Sequence, residues 1–164
     1  MHALVDRVLS APRAGQAFAI TLAAYLLAAW LALFLTIPPG IASPLFPAAG
    51  IALAAALVWG RPALAAVWLG SAAANLWHAA SIEPTTLLHV VVVASIGLGA
   101  ALQAGVGALL INRFAGQPLL LAEPSQLWRV IALGALVSTC ISSSIGLAAL
   151  SLAGKVDAAQ ALSH

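Results

Sequence analysis

The chain has 164 residues, of which 63% are apolar and 6% charged, and a formal net charge of +2. A soluble domain carries roughly 25% charged residues, so there is too little charge here to clothe a water-facing surface, and lipid is the solvent this composition suits. Six scattered Lys and Arg residues form no basic patch for nucleic acid, and the single cysteine, Cys140, excludes an intrachain disulfide.

Arg7 and Arg13 precede a first apolar stretch over 16–37. It is longer than the roughly 7–15 residues of a signal-peptide core, so it reads as a retained first helix. Pro38, Pro39 and Gly40 stop it, because proline lacks the amide donor and blocks the preceding turn. A second stretch, 46–59, ends at Gly60-Arg61-Pro62. A third covers 62–80, a fourth 85–112 and a fifth 127–153, and a polar tail follows. A spanning helix needs about 20 apolar residues. Four stretches meet this, and the second is short.

Charge placement bears on whether the short stretch crosses. If all five span with the N-terminus inside, Arg7, Arg13, Arg61, Arg113 and Arg129 fall on the cytoplasmic side and only Lys155 outside. That is a strong positive-inside bias. A re-entrant second stretch would move Arg113 and Arg129 outside and abolish it. The sequence therefore predicts an all-α, polytopic transmembrane bundle of about five spanning helices, one domain over 1–164, with a cytoplasmic N-terminus. The apolar runs are continuous, not alternating, which argues against barrel strands.

Helices in lipid associate through close contact and polar pairing. Small residues recur every fourth position as Gly134, Ser138, Ser142, Gly146; as Gly97, Ala101, Gly105; as Gly99, Gln103, Gly107; and as Ala66, Gly70, Ala74. These rows predict tight crossings of the third to fifth helices. Plain bundle packing accounts for them, and moulding of a ligand site or signalling interface is the sharper alternative. An unpaired amide in hydrocarbon costs roughly 4–8 kcal/mol, so Asn75 and Gln103 are expected to face the interior as interhelical glue or as ligand contacts.

His78, Glu83 and His89 flank the turn between the third and fourth helices and are candidates for external pH or metal sensing. Interface residues that stay wet are the plainer reading. Trp59, Trp77 and Trp128 sit near helix ends, where indoles favour the headgroup belt. No glycine-rich phosphate loop, no HExxH pattern and no mid-membrane acid is present. Ser138, Ser142, Ser143 and Ser144 have no histidine nearby in sequence to activate them. No catalysis, cofactor or metal is expected.

One stretch carries more than composition. Residues 46–77 read FPAAGIALAAALVWGRPALAAVWLGSAAANLW. Phe46, Pro47 and Gly50 form an aromatic-Pro-x-x-Gly opening. Gly60 and Arg61 form a turn, and Val67, Trp68, Leu69, Gly70 and Asn75 a second helix with a Leu-Gly step. This resembles the MASE1 family, membrane-associated sensor domains of bacterial histidine kinases and diguanylate cyclases. Leu64-Ala65-Ala66 departs from the pattern, where an aromatic-Pro-Gly step is usual, and the family's later tryptophan-rich Gly-Asp motif is missing.

The resemblance implies a multi-pass sensor of the bacterial inner membrane. It implies a cytoplasmic kinase or cyclase output and an unknown small-molecule or membrane-derived stimulus, with a homodimer as a further expectation. It also implies eight helices with both ends cytoplasmic. Five helices would leave the C-terminus outside, so the sequence is expected to be a piece that stops early. Pro47, Gly50, Gly60, Arg61, Gly70 and Asn75 would then be family-linked positions of structural role. A small transporter or substrate-binding membrane subunit is the main rival, because broken short helices mark binding sites in transporters. A membrane assembly partner without a ligand is the third reading.

Overall fold

The computed structural model describes residues 13–34, 47–81, 84–114 and 138–152, with the isolated positions 128 and 132. Glu83 and Gly134, together with Arg7, Arg129 and Lys155, lie outside the described residues, as does the side chain of Ser138. Within them the chain forms five helices and no strand: α1 (Ala14–Phe34), α2 (Pro47–Trp59), α3 (Arg61–Ala80), α4 (Leu87–Phe114) and α5 (Ser138–Leu152). Of the fifth apolar stretch, 127–153, the described helix is the part from Ser138 onward.

Alanine and leucine dominate α1, α2 and α3, and both lose little side-chain freedom in a helix. By length and composition two helices are suited to crossing a bilayer: the Ala14–Ala32 part of α1, and α4 with 28 residues. At 1.5 Å per residue α4 is about 42 Å long. α2 has only 13 residues, about 20 Å. α3 has 20 residues but carries Arg61, Ser71, Asn75 and His78, which lower its apolar character.

The helix ends follow from local chemistry. α2 opens on Pro47, a position where the missing amide proton has no helical partner to lose. α2 and α3 are joined by Gly60 alone, at φ 64° and ψ −127°. Only glycine occupies that region without a Cβ clash. The Gly60 amide donates to the Ala56 carbonyl (3.0 Å), while its carbonyl accepts from Ala63 (3.1 Å) and Leu64 (3.2 Å). One residue thus closes α2 and starts α3.

Side-chain register gives the helix directions. Gly70 of α3 lies against Leu22 and Tyr25 of α1. Further along both chains, Leu26, Leu27 and Trp30 face Ala73, Ala74 and Trp77 across one groove. The two positions advance together, so α1 and α3 are parallel. On the other side of α3, Gly97 lies against Trp68 and Ala72, and Gly105 against Leu64, so α4 is antiparallel to α3. Gly99 meets Ser142 and Ile145, while Gln103 meets Thr139, so α5 is antiparallel to α4. α2 packs across α1 and α4 as well as α3. The core between them is built from Tyr25, Val67 and alanines of α1, α2 and α4.

Candidate functional site

Helix α3 packs against α1 on one face and α4 on another, and the two faces differ. Toward α1 it presents Gly70 and Ser71. A Cβ on Gly70 would lie 2.9 Å from Tyr25 Cδ1, so the tyrosine ring rests on bare helix backbone. Tyr25 is 1% exposed and Ser71 3%. The two side chains are hydrogen-bonded to each other across the α1–α3 contact. Thr21, one turn earlier, is buried and donates to the Ala17 carbonyl at 2.8 Å. A polar strand of hydroxyls therefore runs through an apolar core, each with a partner, as the cost of burying polar groups requires.

Toward α4, α3 presents Trp68. Its indole Nε1 donates to the Ala94 carbonyl at 3.2 Å. Its own carbonyl oxygen stands 2.6 Å from where a Gly97 Cβ would be. The side chain thus holds α4 at one level and the backbone abuts it one turn on. A Cβ on Gly105 would lie 3.3 Å from the Leu64 side chain. Gly107 is buried in α4. A Cβ on Gly99 would lie 3.3 Å from Ile145.

The two amides differ. Gln103 Nε2 donates to Thr139 Oγ1 at 3.3 Å and so joins α4 to α5. Asn75 Nδ2 donates to the Ser71 carbonyl of its own helix at 2.8 Å. That bond lies within α3, where the sequence suggested a partner across a helix contact or a ligand. Ser71 provides a local acceptor four residues back, and a short amide side chain reaches it readily.

Gly50 and Gly146 have open space where a Cβ would be, with no atom within 4 Å. Gly146 shares the four-residue spacing of Gly97 and Gly99 but not the close contact. Ser142 contributes its Cα to the Gly99 contact. Arg61 is exposed at the start of α3.

His78 is exposed in the last turn of α3, and His89 is half-buried in the first turn of α4. His89 is engaged in capping. Its backbone amide donates to Thr86 Oγ1 (3.4 Å), and its Nδ1 accepts from the Thr86 amide (3.2 Å) and lies 2.7 Å from Thr86 Oγ1. This is a capping box with histidine in the place usually held by Glu or Gln. Among the described residues no group of three or more His, Cys, Asp or Glu side chains gathers as a metal site would require.

The helix directions also sort the charges. Arg13 before α1, Arg61 at the start of α3 and Arg113 at the end of α4 all fall at one end of the bundle. His78 and His89 fall at the other. Tyr25, the only tyrosine of the chain, is the central residue that composition and spacing did not single out. Its signal was a lone hydroxyl in the middle of an apolar stretch, opposite a helix carrying a glycine and a serine side by side.

An all-helical bundle that buries Thr21, Tyr25 and Ser71 inside and turns leucine, valine and tryptophan outward defines a membrane-associated helical domain. The family model of MASE1 matches residues 16–163, nearly the whole chain. The chain belongs to the MASE1 family, whose members are membrane-associated sensor domains and not catalytic ones. No curated protein and no solved structure matches it.

Proposed function

We propose that this chain is the sensory domain of a bacterial signal-transduction protein. It spans the inner membrane five times with its N-terminus in the cytoplasm, and passes a stimulus to a histidine kinase or diguanylate cyclase output. The family match over 16–163 carries the sensory part of this reading. Two structural features support the topology. Parallel α1 and α3 require the chain between them to return across the bilayer, and α2 is the helix in that interval. Arg13, Arg61 and Arg113 at one end favour the cytoplasmic side for that end under the positive-inside rule. At about 20 Å, α2 is shorter than the roughly 30 Å hydrocarbon core, and local thinning of the bilayer accommodates the difference.

A sensor needs two packings of its bundle that a stimulus tells apart. The register contacts of α3 with α1 and α4 are the surfaces on which two such packings would differ. Reporter fusions test the topology. Green fluorescent protein after residue 60 should fluoresce, and alkaline phosphatase after residue 84 should be active. Phosphatase activity after residue 60 would overturn the five-span reading. Gly97→Val in the native gene tests the sensory role, with cellular cyclic di-GMP or kinase phosphorylation as readout. An unchanged output from a correctly inserted variant would count against it.

A further inference from the structure

The first turn of α4 is closed by a residue that titrates. Thr86 Oγ1 accepts from the His89 amide at 3.4 Å, and His89 Nδ1 accepts from the Thr86 amide at 3.2 Å. The Thr86 carbonyl takes the first helical bond, from the Val90 amide, at 3.3 Å. A ring nitrogen that accepts an N–H carries no proton, so this geometry requires the neutral ring with its hydrogen on Nε2. We propose that the cap is an acid-released switch, which holds the first turn of α4 while His89 is neutral and lets it go when the ring takes up a proton. This rests on the membrane-sensor reading and gives the sensor a stimulus class: protons, at the end of the bundle opposite Arg13, Arg61 and Arg113.

Two effects of protonation act in the same direction. The new proton occupies Nδ1, the atom that accepts from the Thr86 amide, so that amide loses its partner. Nδ1–H still reaches Thr86 Oγ1 at 2.7 Å, but as a donor it no longer holds the amide. The charge also falls at a helix N-terminus, where the backbone dipole is positive and disfavours a cation. Glu and Gln, the usual residues at this place in a capping box, have neither effect. Imidazole is the side chain whose ordinary titration lies between about pH 5 and 8. The cap therefore stands on the alkaline side of the histidine titration and is lost on the acid side.

Protons have access to this turn, and its release has somewhere to act. Thr86 is exposed and His89 half-buried. At about 42 Å, α4 is longer than the roughly 30 Å hydrocarbon core, which leaves room for its first turn at the headgroup level. Among the described residues, α3 brings His78 to this end of the bundle, and the adjoining ends of α1, α2 and α5 bring no charged or titratable side chain. Glu83 lies outside the described residues. Release of residues 87–90 shortens α4 by about one turn, two turns from the place where Gly97 abuts α3. The helix then has a longer and a shorter form, and a proton tells them apart.

Amide exchange at residues 87–90 is the readout, by NMR of the full chain in dioleoyl phosphatidylcholine nanodiscs, corrected for intrinsic rates. From about pH 8 to about pH 5, protection in the wild type should fall about fivefold, the worth of a lost N-cap. His89→Gln keeps an acceptor for the Thr86 amide and does not titrate, so its protection should hold across the range. His78→Gln should behave as the wild type. If His89→Gln does not fold, Thr86→Ala decides: it lacks the cap at every pH, and its protection should be low and independent of pH. Wild-type protection that does not change with pH overturns the proposal. So does a fall that survives in His89→Gln or Thr86→Ala, one that His78→Gln abolishes, or one spread evenly along α4. Alkaline phosphatase fused after residue 84 reads separately which side the turn faces, so a cap that is no switch and a wrong topology give different results.

Discussion

The carbonyl oxygen of Trp68 occupies the space in which any side chain on residue 97 would begin, 2.6 Å from the position of a Gly97 Cβ. The obstacle is backbone, so neither partner yields by changing rotamer. Gly97→Ala should force α3 and α4 apart and cost about 1–3 kcal/mol, the usual penalty of overpacking. Thermal unfolding of the detergent-solubilised protein measures it. Gly146→Ala is the matched control, since nothing stands within 4 Å of its Cβ position. It should leave stability within about 0.5 kcal/mol or raise it slightly, because alanine is the better helix former.

The corner at Gly60 makes a separate prediction. Its φ of 64° with ψ of −127° lies where L-residues are strained, so Gly60→Ala should cost about 1–3 kcal/mol although a Cβ there meets no atom. Gly50→Ala, in an ordinary helix with equal free space, should be close to neutral. Similar destabilisation by both substitutions would show that the backbone angle is not the cause.

Tyr25 and Ser71 form a buried polar pair that a double-mutant cycle isolates. Tyr25→Phe and Ser71→Ala should each destabilise by about 0.5–1.5 kcal/mol. The pair should couple by about 0.6 kcal/mol or more, the average seen between membrane helices. A coupling of zero would mean that each hydroxyl finds another partner at no loss.

Thr86 caps α4 through the amide of His89. Thr86→Ala removes both the acceptor for that amide and the hydroxyl beside Nδ1, and should cost about 1 kcal/mol. The loss should be local, seen as faster hydrogen exchange at residues 87–90 with the rest of α4 unchanged. Exchange that rises evenly along α4 would point to a global effect.

The helical class was readable from uninterrupted apolar runs and Pro-Gly stops, and Gly60 was readable as a corner because a Gly-Arg-Pro step ends one helix and begins another. Which glycines make close contacts was not readable. Gly97 and Gly146 share the same four-residue spacing, yet one abuts backbone and the other open space, because spacing gives a face but not what stands opposite. α4 is apolar on nearly every face, so apart from Gln103 no polar stripe marked its inner side. Tyr25 escaped notice for a related reason. Its importance lies in Ser71 and Gly70, which belong to a helix with which it shares no local pattern. Asn75 was expected to serve as interhelical glue or as a ligand contact, and its amide nitrogen bonds within its own helix, because Ser71 places a carbonyl within reach.

The pairing of Tyr25 with Ser71 bears on how the protein is made. Ser71 is translated only after the whole of α2 and half of α3, so under the five-span reading proposed above the Tyr25 hydroxyl enters the bilayer before its partner exists. Until α3 is inserted alongside, that hydroxyl must be met by water, by a lipid carbonyl or by the insertion machinery. The contact that closes the finished core is therefore a late step of biogenesis, and α1 waits for α3 with a polar group held open to receive it.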